Sequence, residues 1–199
     1  MAKAIKTNNY AKNILDRNFE RLGPRMALLT DITYIPFKGI HIYFSPVIDA
    51  CTKQTLAYKY STLLEVEFVI DMLKSLKENH GDELTSKTII HSDQVCHYTS
   101  NAFFEEVKQM ELLRSMSRRG NCWDNSPQES YFGHMKDEIN EKIENCETVE
   151  EVYKVLDDWV AYYNSDRPIW GLNKMTPDEY FEHLKNGGTQ IIKKKTKNS

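Results

Sequence analysis

The first third of the chain contains three short hydrophobic runs that predict β-strands. They cover residues 26–37, 41–50 and 55–62 and are rich in β-branched and aromatic side chains. Lys38-Gly39 separates the first run from the second, which is typical of a tight turn. Three strands at this spacing predict an antiparallel meander.

Beyond residue 62 the hydrophobic period changes to that of helices, with short strand-like pieces between them. Strands are predicted at residues 88–91 and 113–116. Helical periods are predicted, in chain order, at residues 66–76, at 103–110, after Pro127, at 152–163 with Thr148 and Glu151 as a capping box, and after Thr176. This order predicts an α/β domain with a mixed five-stranded sheet flanked by helices.

Three regions are expected along the chain. Residues 1–24 form a polar lead-in segment that ends in Gly23-Pro24, and residues 25–186 form the α/β core. Residues 187–199 are expected to be a disordered basic tail. Neither internal repeats nor a linker that would divide the core are present in the sequence.

Composition places the chain among globular proteins without a membrane partner. Of its 199 residues, 40% are hydrophobic and 28% are charged. Its apolar runs are shorter than the roughly 18 residues that a membrane span needs, and a secretory signal is not visible. A cytoplasmic location is therefore expected. The four widely spaced cysteines argue against a zinc knuckle or a disulfide framework and are expected to be buried thiols.

Net charge gives little support to DNA binding, since it is −3 and most nucleic-acid affinity comes from Lys and Arg. Local distribution matters more than the sum. Arg114, Arg118 and Arg119 cluster ahead of the acidic residue Glu129, and a run of lysines occupies residues 193–197.

Two aspartates stand where an ionised side chain is unexpected. Asp31 interrupts an apolar strand pattern, although it could be a strand-end residue facing water. Asp93 directly follows the strand 88–91, where functional groups collect in α/β sheets. Its alternative role is to cap the helix near Asn101.

Glu129 is the third acidic candidate, and on its own it fits a helix cap better than a catalyst. Ser126-Pro127-Gln128-Glu129 has the pattern of a capping box, with 35 residues (94–128) between Asp93 and Glu129. Together, however, three carboxylates from two strands and a helix suit two Mg²⁺ or Mn²⁺ ions and in-line phosphoryl transfer. The trio is therefore the predicted catalytic and metal-binding site.

Four blocks of the sequence resemble insertion-sequence transposases with a retroviral-integrase-type core. They are residues 30–37, 89–100, 115–138, which contain RRGNCWDNSPQES, and 162–180. The resemblance implies a ribonuclease H-like fold in which Asp31, Asp93 and Glu129 are the acids of a DDE site. It implies an enzyme that frees a 3′-hydroxyl at the element end and joins it to target DNA.

The resemblance also implies partners and further residues. Bacterial DNA, as element end and target, is the expected partner, with self-association on DNA and association with the nucleoid. Lys136, two helical turns beyond Glu129, is expected to contact the DNA end, although it also fits a solvated helix lysine. Arg118 and Arg119 are further DNA-binding candidates. Asp49 matches a family position and is interpreted as a turn residue.

Two departures from the family pattern leave an alternative open. Val95 and His97 stand where a glycine and a glutamine are usual, and a β-branched residue disfavours positive φ, so the loop after Asp93 is expected to be reshaped. The helical DNA-recognising region that usually precedes the core is also missing from this sequence. A non-catalytic DNA-binding or regulatory remnant is therefore the second hypothesis. A ribonuclease H-type hydrolase is the third, and the block at 115–138 argues against it.

Overall fold

The computed structural model describes residues 9–16, 19, 22–118 and 126–191. Within these ranges it confirms the predicted α/β architecture, a mixed sheet flanked by helices. No helix in the described ranges is long and apolar enough to cross a membrane.

The sheet has six strands among the described residues, where the sequence predicted five. They are β1 (Ala27–Thr30), β2 (Thr33–Phe37), β3 (Ile40–Asp49), β4 (Thr55–Ser61), β5 (Ile89–Ser92) and β6 (Leu113–Met116). The extra strand arises because the predicted run 26–37 is divided into β1 and β2. The other four strands correspond to predicted ones.

The division falls at Asp31 and Ile32. β3 pairs antiparallel with β2 through residues 40–44 and with β1 through residues 47–49, so both pieces lie along the same edge of β3. At the break, Asp31 Oδ1 accepts a hydrogen bond from the Ile32 N–H at 2.8 Å. Short polar side chains that bind nearby backbone compete with the strand ladder in this way.

The sheet combines the predicted meander with a parallel half. β4 pairs antiparallel with the other edge of β3, which completes the meander. β5 pairs parallel with β1, and β6 pairs parallel with β5. The strand order is β2-β3-β1-β5-β6, with β4 on β3. The carboxyl ends of β1 and β5 therefore meet at one edge of the sheet.

Helices cover both faces of the sheet. They are α1 (Val66–His80), α2 (Asn101–Gln109), α3 (Ser126–Glu144), α4 (Val149–Ser165) and α5 (Pro177–Lys185). One buried cluster joins α1 and α2 to Leu28, Val47 and Ile90 of the sheet. A second joins α3 and α4 to Ile35, Ile42 and Phe44 on the opposite face. The α3 helix begins at Ser126 itself, one residue earlier than predicted.

Three of the described helix starts show side-chain caps, and at α2 the cap is Ser100, whose Oγ accepts from the Phe103 N–H at 3.2 Å, rather than Asp93. Thr148 Oγ1 accepts from the Glu151 N–H at 3.2 Å, as predicted, but Glu151 returns its carboxylate to the N–H of Glu147 instead of Thr148. Thr176 and Glu179 form a complete capping box at α5. Such caps satisfy N–H groups that a helix start would otherwise leave unpaired.

The end of the sheet opposite the aspartate edge is closed by a buried ion pair. Asp49 is fully buried and lies 2.9 Å from the Arg25 guanidinium. Its carboxylate also accepts from the backbone N–H groups of Arg25, Cys51 and Thr52 at 2.8 to 3.2 Å. Asp49, interpreted from sequence as a turn residue, is the last residue of β3 and binds N–H groups of the turn that follows; its partner Arg25 was not predicted.

The described part of the lead-in segment packs on the core. Leu15 and Phe19 are buried against Ala27, Leu29 and Ala50. The Ile14 and Leu15 N–H groups both donate to Ser115 Oγ of β6, at 3.0 and 3.2 Å. The segment 9–16 is thereby fixed beside the last strand of the parallel half.

Candidate active site

Asp31 and Asp93 follow two adjacent parallel strands at the same end of the sheet. Leu29 of β1 pairs with His91 of β5, and each aspartate lies two residues further along its strand. The register therefore places both aspartates at the same end of the sheet, each partly buried. Carboxylates that share one sheet end in this way are suited to binding a common cation.

The surroundings of Asp93 change the pKa of its carboxyl group. Burial raises the pKa of the Asp93 carboxyl, while the Val95 N–H, which donates to Asp93 Oδ1 at 3.1 Å, and the nearby His97 act in the opposite direction. Burial is the larger effect, so the Asp93 carboxyl holds its proton more tightly than an exposed aspartate does. Hard carboxylate oxygens are the ligands that Mg²⁺ and Mn²⁺ prefer, and the two aspartates fit such an ion.

A buried tyrosine lies beneath the aspartate pair and was missed at the sequence level. Tyr98 is fully buried, and its hydroxyl lies 3.3 Å from Thr30 Oγ1 and 3.2 Å from Ser45 Oγ. Burial, together with the charges of Asp31 and Asp93, raises the pKa of Tyr98 well above its usual range. Tyr98 therefore stays neutral and links the end of β1 to the middle of β3. The only sequence signal was its place in the Y-T-S motif.

The loop after Asp93 accommodates both departures from the family pattern. Val95 does not have positive φ and its side chain is exposed. His97 is buried, and its Nε2 donates to the Leu64 carbonyl at 3.3 Å. Cys96 is exposed, with Sγ 3.6 Å from His97 Nδ1, so the expectation of a buried thiol is wrong at this position. Cys51 and Cys146 are buried as expected.

Glu129 lies in the first turn of α3 with an exposed side chain. Within the described ranges, no three His, Cys, Asp or Glu side chains come together in a group that could hold a metal ion. Asp31 and Asp93 thus lie at the same end of the sheet, but the three predicted acids do not form such a group. Its neighbour Gln128 is fully buried, and neither side-chain amide atom finds a hydrogen-bond partner among the described residues.

The predicted basic residues differ in their surroundings. Arg114 is partly buried and donates to the backbone carbonyls of Asn9 and Tyr98, both at 2.9 Å, so its role is structural. Arg118 is exposed and lies 3.6 Å from Asp16 Oδ1. Lys136 is exposed, with Nζ over the Tyr34 ring, 5.3 Å from its centroid. Arg119 and the lysines at 193–197 lie outside the described residues.

Comparison with known proteins assigns the chain to a family. The chain matches an integrase core domain family over residues 21–122, just over half of its length, and a second family of the same description over residues 111–177. The chain belongs to the integrase core domain family. The resemblance predicted from the four sequence blocks is therefore confirmed.

Curated relatives of this integrase core are transposases of insertion sequences. The chain is 32% identical over 171 residues to a putative transposase, InsK, for the element IS150 of Escherichia coli (strain K12), covering 85% of this chain and 59% of that protein. It is 30% identical over 176 residues to an uncharacterized transposase-like protein of Haemophilus influenzae, covering 88% and 79%. The chain thus spans about 59% of the length of InsK.

Solved structures confirm the fold of the integrase core as ribonuclease H-like. A chain of the simian T-cell lymphotropic virus intasome, in complex with PP2A regulatory subunit B56 gamma, superposes with a TM-score of 0.72 at 14% identity, covering 100% of this chain and 69% of that one. The HTLV-2 integrase catalytic core domain in complex with magnesium, in its trimeric form, gives 0.62 at 12% identity, covering 80% and 98%. Its dimeric form gives 0.63 at 13% identity, covering 80% and 97%.

Proposed function

We propose that this chain is the catalytic core of an insertion-sequence transposase, a DDE-type polynucleotidyl transferase that cuts and joins DNA. The observation that carries the proposal is the register of β1 and β5, because Asp31 and Asp93 follow these paired strands at their carboxyl ends. Membership of the integrase core family and the transposase relatives support it.

Asp31, Asp93 and Glu129 are the proposed metal ligands and catalytic residues. With two Mg²⁺ or Mn²⁺ ions bound, the ions would activate the attacking water or 3′-hydroxyl and stabilise the leaving oxygen. Asp31 and Asp93 hold their carboxylates at the sheet edge, and the neutral Tyr98 beneath them adds no further negative charge there. The magnesium complex of the structurally similar HTLV-2 core supports the choice of metal.

Glu129 has to move toward the aspartates to join them, and α3 offers a reason why it can. The Gln128 amide is buried without a partner in the described part of the chain, and this cost favours a rearrangement of the first turn of α3, while Tyr131 and Met135 hold the later turns in the core. We propose that Glu129 completes the ligand set when metal and DNA are bound.

DNA is the proposed partner, as both element end and target. Arg118, Arg119 and Lys136 are proposed to contact its phosphates, and the basic residues of 187–199 to add unspecific attraction. Joining two ends requires at least two active sites, so self-association on DNA is part of the proposal. The trimeric and dimeric forms of the HTLV-2 core are consistent with it.

The experiment is a nicking and strand-transfer assay on labelled DNA that carries the ends of the source element. We expect activity that depends on Mg²⁺ or Mn²⁺ and is lost in Asp93→Asn. Asp71→Asn is the matched control, because Asp71 is an exposed carboxylate on α1 that pairs with Lys74. Equal residual activity of wild type and Asp93→Asn with each metal would contradict the proposal.

A non-catalytic DNA-binding or regulatory remnant is the second candidate. It is favoured by the absence, in the described ranges, of a three-residue group that could hold a metal. This hypothesis predicts DNA binding that persists in EDTA, with no metal-dependent product. Calorimetric titration with Mn²⁺ separates the two candidates, since only the enzyme requires metal binding that Asp93→Asn weakens.

A further inference from the structure

An exposed aromatic surface lies on the β2–β3 hairpin beside the aspartate edge. It consists of Tyr34, His41 and Tyr43, which we name the hairpin platform. Tyr34 pairs with Tyr43 across the two strands, and His41 is two residues from Tyr43. Because side chains alternate along a strand, all three project from the same face of the hairpin. The opposite face carries Ile35, Ile42 and their neighbours in the core.

The platform rings contact one another and remain accessible. The Tyr34 and His41 ring centroids are 4.7 Å apart with the planes at 40°, and those of His41 and Tyr43 are 6.3 Å apart, edge to face. Tyr34 is 50% exposed, and His41 is also exposed. Tyr43 packs partly against the first buried cluster, but Tyr34 and His41 belong to neither cluster. Core packing therefore does not explain three aromatic residues at adjacent surface positions.

A positive charge accompanies the rings. Lys136 reaches from α3 across the edge strand β2, so that its Nζ lies over the Tyr34 ring, 5.3 Å from the centroid. Aromatic faces together with a cation are the combination that binds single-stranded nucleic acid, because bases stack on the rings and the cation neutralises a phosphate. An apolar protein partner would gain nothing from the ammonium group.

The platform is also at the right distance from the aspartates. Tyr34 is three residues beyond Asp31 on a strand that is nearly continuous, which corresponds to about 10 Å. A DNA strand that ends at Asp31 and Asp93 can therefore reach the platform with its terminal unpaired nucleotides.

We propose that the hairpin platform stacks unpaired bases at the end of the DNA strand held at the aspartates, an inference that rests on the proposed function. Lys136 leaves the Tyr34 ring to pair with a phosphate, and a base takes its place on the ring. The exchange is favourable, because base stacking on an aromatic side chain is stronger than an exposed cation–π contact.

The test measures binding of a duplex with a short single-stranded 3′ overhang, in EDTA so that the DNA stays uncut. The overhang carries either normal bases with a 2-aminopurine reporter or abasic sites. We expect wild type to quench the reporter and to bind the base-bearing overhang about 5- to 100-fold more tightly than the abasic one. Tyr34→Ala is expected to lose that preference, and Tyr34→Phe to keep it.

The matched control is Tyr162→Ala, which removes a tyrosine of similar exposure, 46%, from α4. It should bind like wild type. The comparison of overhangs uses the unaltered protein, so it decides the question even if Tyr34→Ala folds poorly. Equal binding of base-bearing and abasic overhangs by wild type overturns the platform and leaves the proposed function standing. Failure of wild type to bind DNA in any form overturns both.

Discussion

Replacement of Asp49 by alanine is expected to destabilise the fold severely. The carboxylate is fully buried and accepts four hydrogen bonds: from the Arg25 N–H and Nη1, and from the N–H groups of Cys51 and Thr52. Removing one partner of a buried ion pair costs about 3–5 kcal/mol, because the remaining charge stays buried. Such a loss is a large part of the roughly 5–15 kcal/mol that stabilises a typical domain.

Contacts that survive the substitution set the expected value within that range. Arg25 Nη1 keeps its hydrogen bond to Gln54 Oε1 at 2.9 Å, and Arg25 Nε keeps its ion pair with Glu83. The guanidinium is therefore not left alone, and we expect Asp49→Ala to lose about 3 kcal/mol, at the lower end. Asp49→Asn retains one acceptor oxygen and should lose about 2 kcal/mol.

Urea unfolding followed by tryptophan fluorescence measures these losses, since Trp159 is buried in the core. Asp71→Ala is the control, because the exposed Asp71–Lys74 pair should contribute nothing measurable to stability. A loss below about 1 kcal/mol for Asp49→Ala, indistinguishable from that control, would refute the assignment of Asp49 to a structural ion pair.

Three further predictions concern the site and its surroundings. Burial raises the pKa of Asp93, so the folded chain holds that proton more tightly than the unfolded chain does. The free energy of unfolding of the metal-free chain should therefore fall as pH rises above the usual carboxyl range. Urea titrations at several pH values measure this fall, which Asp93→Asn should abolish. Ser115→Ala removes the acceptor of two backbone N–H groups and the neighbour of His91 Nδ1 at 2.8 Å. It should lower the free energy of unfolding by about 2–4 kcal/mol. Unchanged thermal unfolding would contradict the packing of residues 9–16. Gln128→Met should raise the unfolding midpoint, since it removes buried amide atoms without a partner among the described residues; a lower midpoint would show that the amide is bonded.

The sequence predicted most of the secondary structure because each element has a local signal. The strand 113–116 and the start of α5 have the predicted bounds. The run 26–37 was predicted as one strand because its hydrophobic pattern is continuous. Its division at Asp31 depends on a hydrogen bond to Ile32 and on β3 holding both pieces, which propensity does not describe.

The candidate site was predictable only in part. The two strand-end aspartates follow from the rule that carboxyl ends of parallel strands meet, once β1 and β5 are recognised as neighbours. Tyr98 and Arg25 were not predicted, because their roles depend on contacts between residues far apart in the chain. That the three acids do not form a metal-binding group among the described residues could not be derived, since sequence spacing along a helix and a loop sets no distance in space.

The attachment of residues 9–16 has a consequence for the solubility of shortened forms of the chain. The segment is held to Ser115 and Met116 of β6 through the N–H groups of Ala11, Ile14 and Leu15. Together with Phe19, its Leu15 covers the apolar side chains of Ala27, Leu29 and Ala50, and exposed apolar patches promote association. A fragment that begins at residue 22 would retain every strand and every acidic candidate, yet it would lose this cover and become prone to aggregation.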